Sequence, residues 1–193
     1  MKFYEKIIIE DFKTKQKELL DLIDGKFPNP LLLDYYDPPW EELLRKCPTL
    51  HKYIAEKSKT KFRFWRIYHS PPGGGLGPHI DGSAYYRSPI GLNIPIMNCA
   101  GSLMKWWSES NAKLFTGNFG WNGIPATKIL NHKELKCVAE AEIDVPTFVR
   151  TDMIHSVENY NDKPRIILSI RWAFNATEGQ QFEQVMDYTP YEN

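Results

Sequence analysis

Cysteine is scarce: Cys47, Cys99 and Cys137 are the only three in 193 residues, odd in number and widely spaced. Such a set builds neither a disulfide framework nor a CxxC metal clip, so a reducing, cytoplasmic compartment is the expectation. Long apolar runs are missing as well. Ile7-Ile8-Ile9 and Ile166-Ile167-Leu168 stop far short of the roughly 18 residues a membrane span requires. The opening Met1-Lys2-Phe3-Tyr4-Glu5-Lys6 has no apolar core followed by small residues, and no secretory leader is expected. Nor does either sign of charge dominate. With 24 basic against 24 acidic side chains the formal net charge is zero, which removes the broad positive field that nucleic-acid binders use. Neither a membrane nor a nucleic acid is therefore expected as a partner.

What is present is apolar and aromatic: 42% hydrophobic and 13% aromatic residues, against 25% charged. This is a globular composition, and 193 residues suffice for one domain with a single substantial core. Residues 11–58 read as mainly helical. Leu19, Leu20, Leu22 and Ile23 recur at helical spacing after Asp11, and Pro38-Pro39-Trp40 opens a second helix with proline near its first turn. From Lys61 the character changes to strand. Phe62–Tyr68, Gly91–Ile96, Cys137–Ile143, Thr147–Val157 and Arg165–Phe174 are rich in β-branched and aromatic residues. No helical stretches alternate between them, which predicts an antiparallel sandwich or barrel rather than a parallel sheet. The stretch Asn111–Thr127, with Gly117, Gly120 and Gly123 beside Phe115, Phe119 and Trp121, is too long for a simple turn. It is a candidate binding loop or lid.

The chemistry gathers around two histidines. His79-Ile80-Asp81 follows the glycine-rich Pro71–Pro78 loop, and on an extended strand the imidazole and carboxylate at i and i+2 project from one face. If Thr147–Val157 is one strand, Val149, Thr151, Met153, His155 and Val157 share a face, placing a second imidazole among apolar neighbours. One alternative for His155 is a core histidine satisfied by a single hydrogen bond. The other is a metal: two histidines and one carboxylate on one side of an ion make the facial set of non-haem Fe(II) oxygenases, with the opposite positions open. Ten residues after His155 begins Arg165-Ile166-Ile167-Leu168-Ser169-Ile170-Arg171-Trp172. Period-two alternation puts Arg165, Ile167, Ser169 and Arg171 on one face. Turned inward, a guanidinium there suits a bidentate small-molecule carboxylate; turned outward, these are ordinary surface arginines.

Together, His79-x-Asp81, His155 and Arg165, in that order, resemble the 2-oxoglutarate and Fe(II)-dependent dioxygenases, over roughly Phe62 to Phe174. Arg66-x-Tyr68 before the glycine-rich loop, and His155-Ser156-Val157-x-Asn159 with Pro164-Arg165, are similar to the prolyl-hydroxylase and aspartyl/asparaginyl-hydroxylase branches. Asp81 is a ligand the second branch often lacks, and Arg165 stands where the first usually has lysine. The resemblance implies a mainly β fold with N-terminal helices and a double-stranded β-helix (jelly-roll, cupin-like) core. It implies a single oxygenase domain over 1–193, with helical support in 1–60, the core in 61–175 and a C-terminal tail in 176–193. Fe(II) would be held by His79, Asp81 and His155. Arg165 would bind the distal carboxylate of 2-oxoglutarate, with Tyr68, Asn93 and Ser169 as further co-substrate contacts and Arg171 facing substrate. The implied reaction hydroxylates a small molecule or an amino-acid or peptidyl side chain while 2-oxoglutarate is decarboxylated to succinate, with ascorbate as an in vitro additive. Tyr85, Tyr86, Trp106 and Trp107 could line such a pocket or belong to the plain core.

Three other readings share parts of this pattern. A non-oxidative cupin-type metal-binding jelly roll, an isomerase or a sugar-binding module, shares the fold and the histidines but has no use for an inward Arg165. An oxygenase acting on nucleic-acid bases is poorly served by zero net charge. A metal-free structural domain is the fourth.

Overall fold

The computed structural model describes residues 2–81, 89–117, 126–172 and 181–192. In chain order the elements are β1 (Tyr4–Ile8), α1 (Phe12–Ile23), β2 (Asp34–Tyr36), α2 (Trp40–Lys46), α3 (Pro48–Lys57), β3 (Phe62–Ser70), β4 (Gly75–Asp81), β5 (Ile90–Met97) and β6 (Ser102–Trp107). They continue with β7 (Leu114–Gly117), β8 (Ala126–Ile129), β9 (Cys137–Glu142), β10 (Thr147–Arg150), β11 (His155–Asn159), β12 (Arg165–Trp172) and β13 (Thr189–Pro190). The strands form two sheets, ordered β13-β1-β10-β5-β12-β3-β2 and β7-β8-β4-β11-β6-β9. Every described pairing is antiparallel, as the strand-rich, helix-poor second half predicts.

The helices cover one face of the seven-stranded sheet. Leu19, Leu22 and Ile23 of α1 bury together with Leu43 of α2 and Leu50 and Ile54 of α3, against Ile67, Leu92, Ile94, Leu168 and Ile170 of the sheet. The opposite face meets the six-stranded sheet through Val149 and Ile167 on one side and Met104, Trp106 and Ala141 on the other. Strand β12 lies between the helices and the second sheet, so all eight of its residues are buried, whichever way they point. Its even-numbered residues pack under the helices, and the odd-numbered ones, both arginines included, face the other sheet.

Several expectations change here. The second helix is two: Pro48 lacks an amide hydrogen and drives the residue before it out of helical backbone, so the chain kinks at Cys47 and restarts with proline in the first turn of α3. The first 60 residues also supply two strands. β1 pairs with β10 and β2 lies at the sheet edge against β3. Thr147–Val157 is not one strand. The chain leaves the seven-stranded sheet after Arg150 and enters the six-stranded sheet at His155, because the two layers of a sandwich must be joined by segments that change sheet. Val149, Met153 and Val157 nonetheless all pack in the layer between the sheets. The segment 176–193 is no free tail where described: Phe182, Val185 and Met186 are buried against the helical core, and β13 pairs with β1.

The glycine-rich loop is also shorter than its composition suggests. Only Pro71–Gly74 turns, with Gly73 at φ +64°, and β4 begins at Gly75. Of Asn111–Thr127, the described part places β7 beside β8 at the edge of the six-stranded sheet. Residues 118–125, which include Phe119, Gly120, Trp121 and Gly123, lie outside the described residues, as do Tyr85, Tyr86 and Phe174, so the candidate lid falls there too. No described helix is long and apolar enough to cross a membrane.

Candidate metal centre

Strands β4 and β11 are neighbours in the six-stranded sheet, and their register places His79 directly opposite His155. The two imidazole centroids are 4.3 Å apart. Two residues along β4 from His79, on the same face, Asp81 brings its Oδ1 to 3.4 Å from His79 Nε2 and 3.9 Å from His155 Nε2. Ligand atoms of the three residues all lie within 4.8 Å of one another.

Each ring is fixed by a backbone carbonyl. His79 Nδ1 meets Gly77 O at 2.7 Å and His155 Nδ1 meets Met153 O at 2.9 Å. A carbonyl can only accept, so Nδ1 carries the hydrogen and the Nε2 lone pair turns toward the partner residues, the tautomer a metal ligand needs. Burial, helped by the charge of His79, pushes His155 down to about 3, which keeps it a neutral donor. Burial also opposes charge on His79, but the hydrogen bond and negative charge of Asp81 outweigh it and raise the imidazole above its ordinary value. For Asp81 burial again works against the ion; Arg171 and the two histidines prevail and hold the carboxyl far below the usual carboxylate range. A neutral imidazole, a second imidazole drawn toward an anion, and a firmly ionised carboxylate on one side of a point fit a divalent first-row metal.

A cleft of about 440 Å³, measured out to its mouth, runs from this cluster between the sheets. Its walls include Leu76, Met104, Val157 and Ile167, and its polar lining includes Tyr68, Asn93, Arg165, Ser169 and Arg171. The eight side chains that the resemblance assigns to iron, co-substrate or substrate thus line one cavity. Arg165 is 3% exposed, and its Nε has no hydrogen-bond partner. Burial works against its charge, and only the Cys99 thiol beside it offers compensation. Tyr68 stands opposite Ile167 across β3 and β12. Burial and the nearby Asp81 charge raise its phenol, so it stays a neutral donor. Ser169 donates to Asn93 Oδ1 at 2.7 Å. The guanidinium of Arg171 turns to Asp81 Oδ2, with Nη2 at 2.9 Å and Nε at 3.3 Å.

Other residues of the quoted motifs stand elsewhere. Asn159 is a corner clamp whose Nδ2 donates to Ser70 O at 3.3 Å, Pro71 O at 3.0 Å and Lys163 O at 2.9 Å. Arg66 forms a bidentate pair with Asp37 at 2.7 and 2.6 Å. Trp106 is wholly buried and donates to Arg150 O, and Trp107 donates to Ser156 Oγ, so neither lines the cleft. Sequence reasoning missed the Arg171–Asp81 contact, for which only spatial pairing gives a signal.

No protein-family model matches the chain, and no curated protein matches it by sequence. Solved structures do match by shape. SnoN, a non-haem α-ketoglutarate-dependent epimerase from nogalamycin biosynthesis, aligns with a TM-score of 0.52 at 11% identity, over 98% of this chain and 90% of its own. HygX from Streptomyces hygroscopicus, solved with nickel and 2-oxoglutarate bound, gives 0.51 at 10% identity, over 89% of this chain and 81% of that one. Against ycfD of E. coli the TM-score is 0.46 at 14% identity over 69% of this chain, which spans only 32% of the longer protein. At such identities the likeness is one of architecture, and the chain accordingly carries the double-stranded β-helix fold that it shares with SnoN and HygX.

Proposed function

We propose that this chain is a 2-oxoglutarate and Fe(II)-dependent dioxygenase that hydroxylates a small molecule or an amino-acid or peptidyl side chain. One observation carries the reading: His79, Asp81 and His155 converge at one part of a cleft whose lining also holds Arg165, a buried guanidinium with an unpartnered Nε. The fold likeness to SnoN and HygX supports it, since one is named as α-ketoglutarate-dependent and the other was solved with nickel and 2-oxoglutarate.

In this reading His79 Nε2, His155 Nε2 and Asp81 Oδ1 hold the iron. Iron bound there with 2-oxoglutarate supplies the oxidative chemistry, in which dioxygen is consumed, the 2-oxo acid becomes succinate and carbon dioxide, and a C–H bond of substrate becomes C–OH. The protein's own work is positioning. Arg165 pairs with the distal carboxylate of the co-substrate and resolves its own unmet hydrogen bonding. Tyr68, a neutral phenol, and the Asn93 amide, whose Nδ2 meets the Met104 sulfur at 4.0 Å, are placed to donate to the same molecule. Leu76, Met104, Val157 and Ile167 keep the cleft wall apolar and exclude water from the reacting atoms. The three free cysteines suit the reducing compartment, the cytoplasm, that we assign to it.

An anaerobic titration tests the whole assignment. Adding Fe(II) and then 2-oxoglutarate to the purified chain is expected to produce the weak visible charge-transfer band of a chelated 2-oxo acid. Iron binding without that band would return the chain to the non-oxidative cupin class, in which Arg165 has no assigned partner.

A further inference from the structure

The two oxygens of Asp81 are used differently. Oδ1 faces the two Nε2 atoms, whereas Oδ2 accepts from Nη2 and Nε of Arg171. Arg171 is 5% exposed, and its remaining nitrogen, Nη1, donates to Ser169 Oγ, which in turn donates to Asn93 Oδ1. A chain of hydrogen bonds thus runs from the carboxylate into strands β12 and β5. Arg171 and Gly91 are register partners across those strands. A Cβ placed on Gly91 would fall 1.7 Å from Arg171 Nη1 and 2.5 Å from Cζ, so the guanidinium occupies the space that any other side chain would fill. The three atoms nearest that Cβ among the described residues, Nη1, Cζ and Nε, all belong to Arg171.

We infer that Arg171, seated on Gly91 and braced by Ser169 and Asn93, is a positioning residue that restricts Asp81 to ligation through Oδ1 alone. The inference rests on the metal-centre reading above. It gives Ser169 and Arg171 new roles and Asn93 a second one: Ser169 and Asn93 Oδ1 brace a guanidinium, Asn93 Nδ2 stays turned to the co-substrate, and Arg171 serves the metal carboxylate instead of substrate. Its physical content is that a carboxylate with both oxygens free can swing or chelate, while one with Oδ2 held by a rigid fork cannot. Positions that a second oxygen would occupy thereby remain available to a bidentate co-substrate.

Titration with Co(II) alone, followed by its visible absorption, tests this without turnover. Arg171→Met removes the fork; Gly91→Ala leaves every ligand and Arg171 in the chain but displaces the guanidinium. Loss of a group that orients a ligand costs about 10- to 100-fold in metal affinity, and that weakening is expected for both variants. A changed Co(II) spectrum should accompany it, and Arg171→Lys should recover part of the affinity. Displacing a guanidinium that is 5% exposed and paired with Asp81 also costs stability, so Gly91→Ala is expected to lower the thermal midpoint without metal, and whichever variant keeps a cooperative unfolding transition decides the matter. Co(II) bound by Gly91→Ala with wild-type affinity and spectrum would overturn the inference while leaving the metal centre standing. Failure of the wild-type chain to bind Co(II) would instead remove the metal centre, and this inference with it.

Discussion

At Arg165 a positive charge lies 3% exposed with its Nε bonded to nothing, a costly arrangement unless a ligand completes it. Arg165→Ala is expected to raise the 2-oxoglutarate concentration needed for half-saturation by roughly 10- to 100-fold, the worth of a charged hydrogen-bond pair. Fe(II) affinity should stay unchanged, since the three ligands are untouched; equal losses of iron and co-substrate would move Arg165 into a purely structural role. The thiols give a second residue-scale test. Burial pushes Cys47 up to about 12 and also raises Cys99, so both remain protonated and shielded near neutral pH, while Cys137 is exposed. One thiol per native chain should react with an aromatic disulfide reagent at pH 8, and all three after unfolding. Asp81 was named from the sequence, but its firm ionisation and the tautomers of His79 and His155 were not readable from residue identity. They depend on Gly77, Met153 and Arg171, whose nearness is a fact of the pairing.

Among the elements, β4 and β11 decide the proposed metal site, because one carries His79 and Asp81 and the other carries His155. Their approach is close at Gly75, where a Cβ would lie 1.9 Å from Val157 O. Backbone cannot yield there as a side-chain tip can. Gly75→Ala should therefore spread the two strands, lower stability by about 1–3 kcal/mol in urea unfolding, and weaken Co(II) binding in the same variant. Unaltered Co(II) affinity would show that the site tolerates separation of β4 from β11. The alternation of β12 was legible because period-two patterning survives in any strand, and it placed Arg165, Ser169 and Arg171 together correctly. The break between β10 and β11 was not legible: four residues that change sheet look, in composition, like strand.

For the whole molecule, the proposed metal site joins β4 and β11 of one sheet and draws on β12 of the other through Arg171, so an ion bound there would couple to the native state and not to the unfolded chain. A metal at about 100 times its dissociation constant stabilises the folded state by about 2.7 kcal/mol, which for a domain of this size is a rise of roughly 5–10 °C in midpoint. Calorimetry with and without Co(II) should record that rise, a chelator should reverse it, and His155→Ala should abolish it. A rise of equal size in His155→Ala would place the ion elsewhere.

The amino-acid order alone indicated helices within residues 11–58, the long strands after Lys61, the phase of β12, and the candidate donors, because side-chain periodicity and ligand chemistry are local properties. Folding decided everything that depends on distance between remote segments. It set His79 opposite His155, turned Oδ2 of Asp81 to Arg171, brought β1 and β13 into the main sheet, and left Arg165 buried with an unmet donor. The physical reason is that sheet register and the stacking of two sheets are fixed by burial summed over the whole chain, which no short window of residues contains.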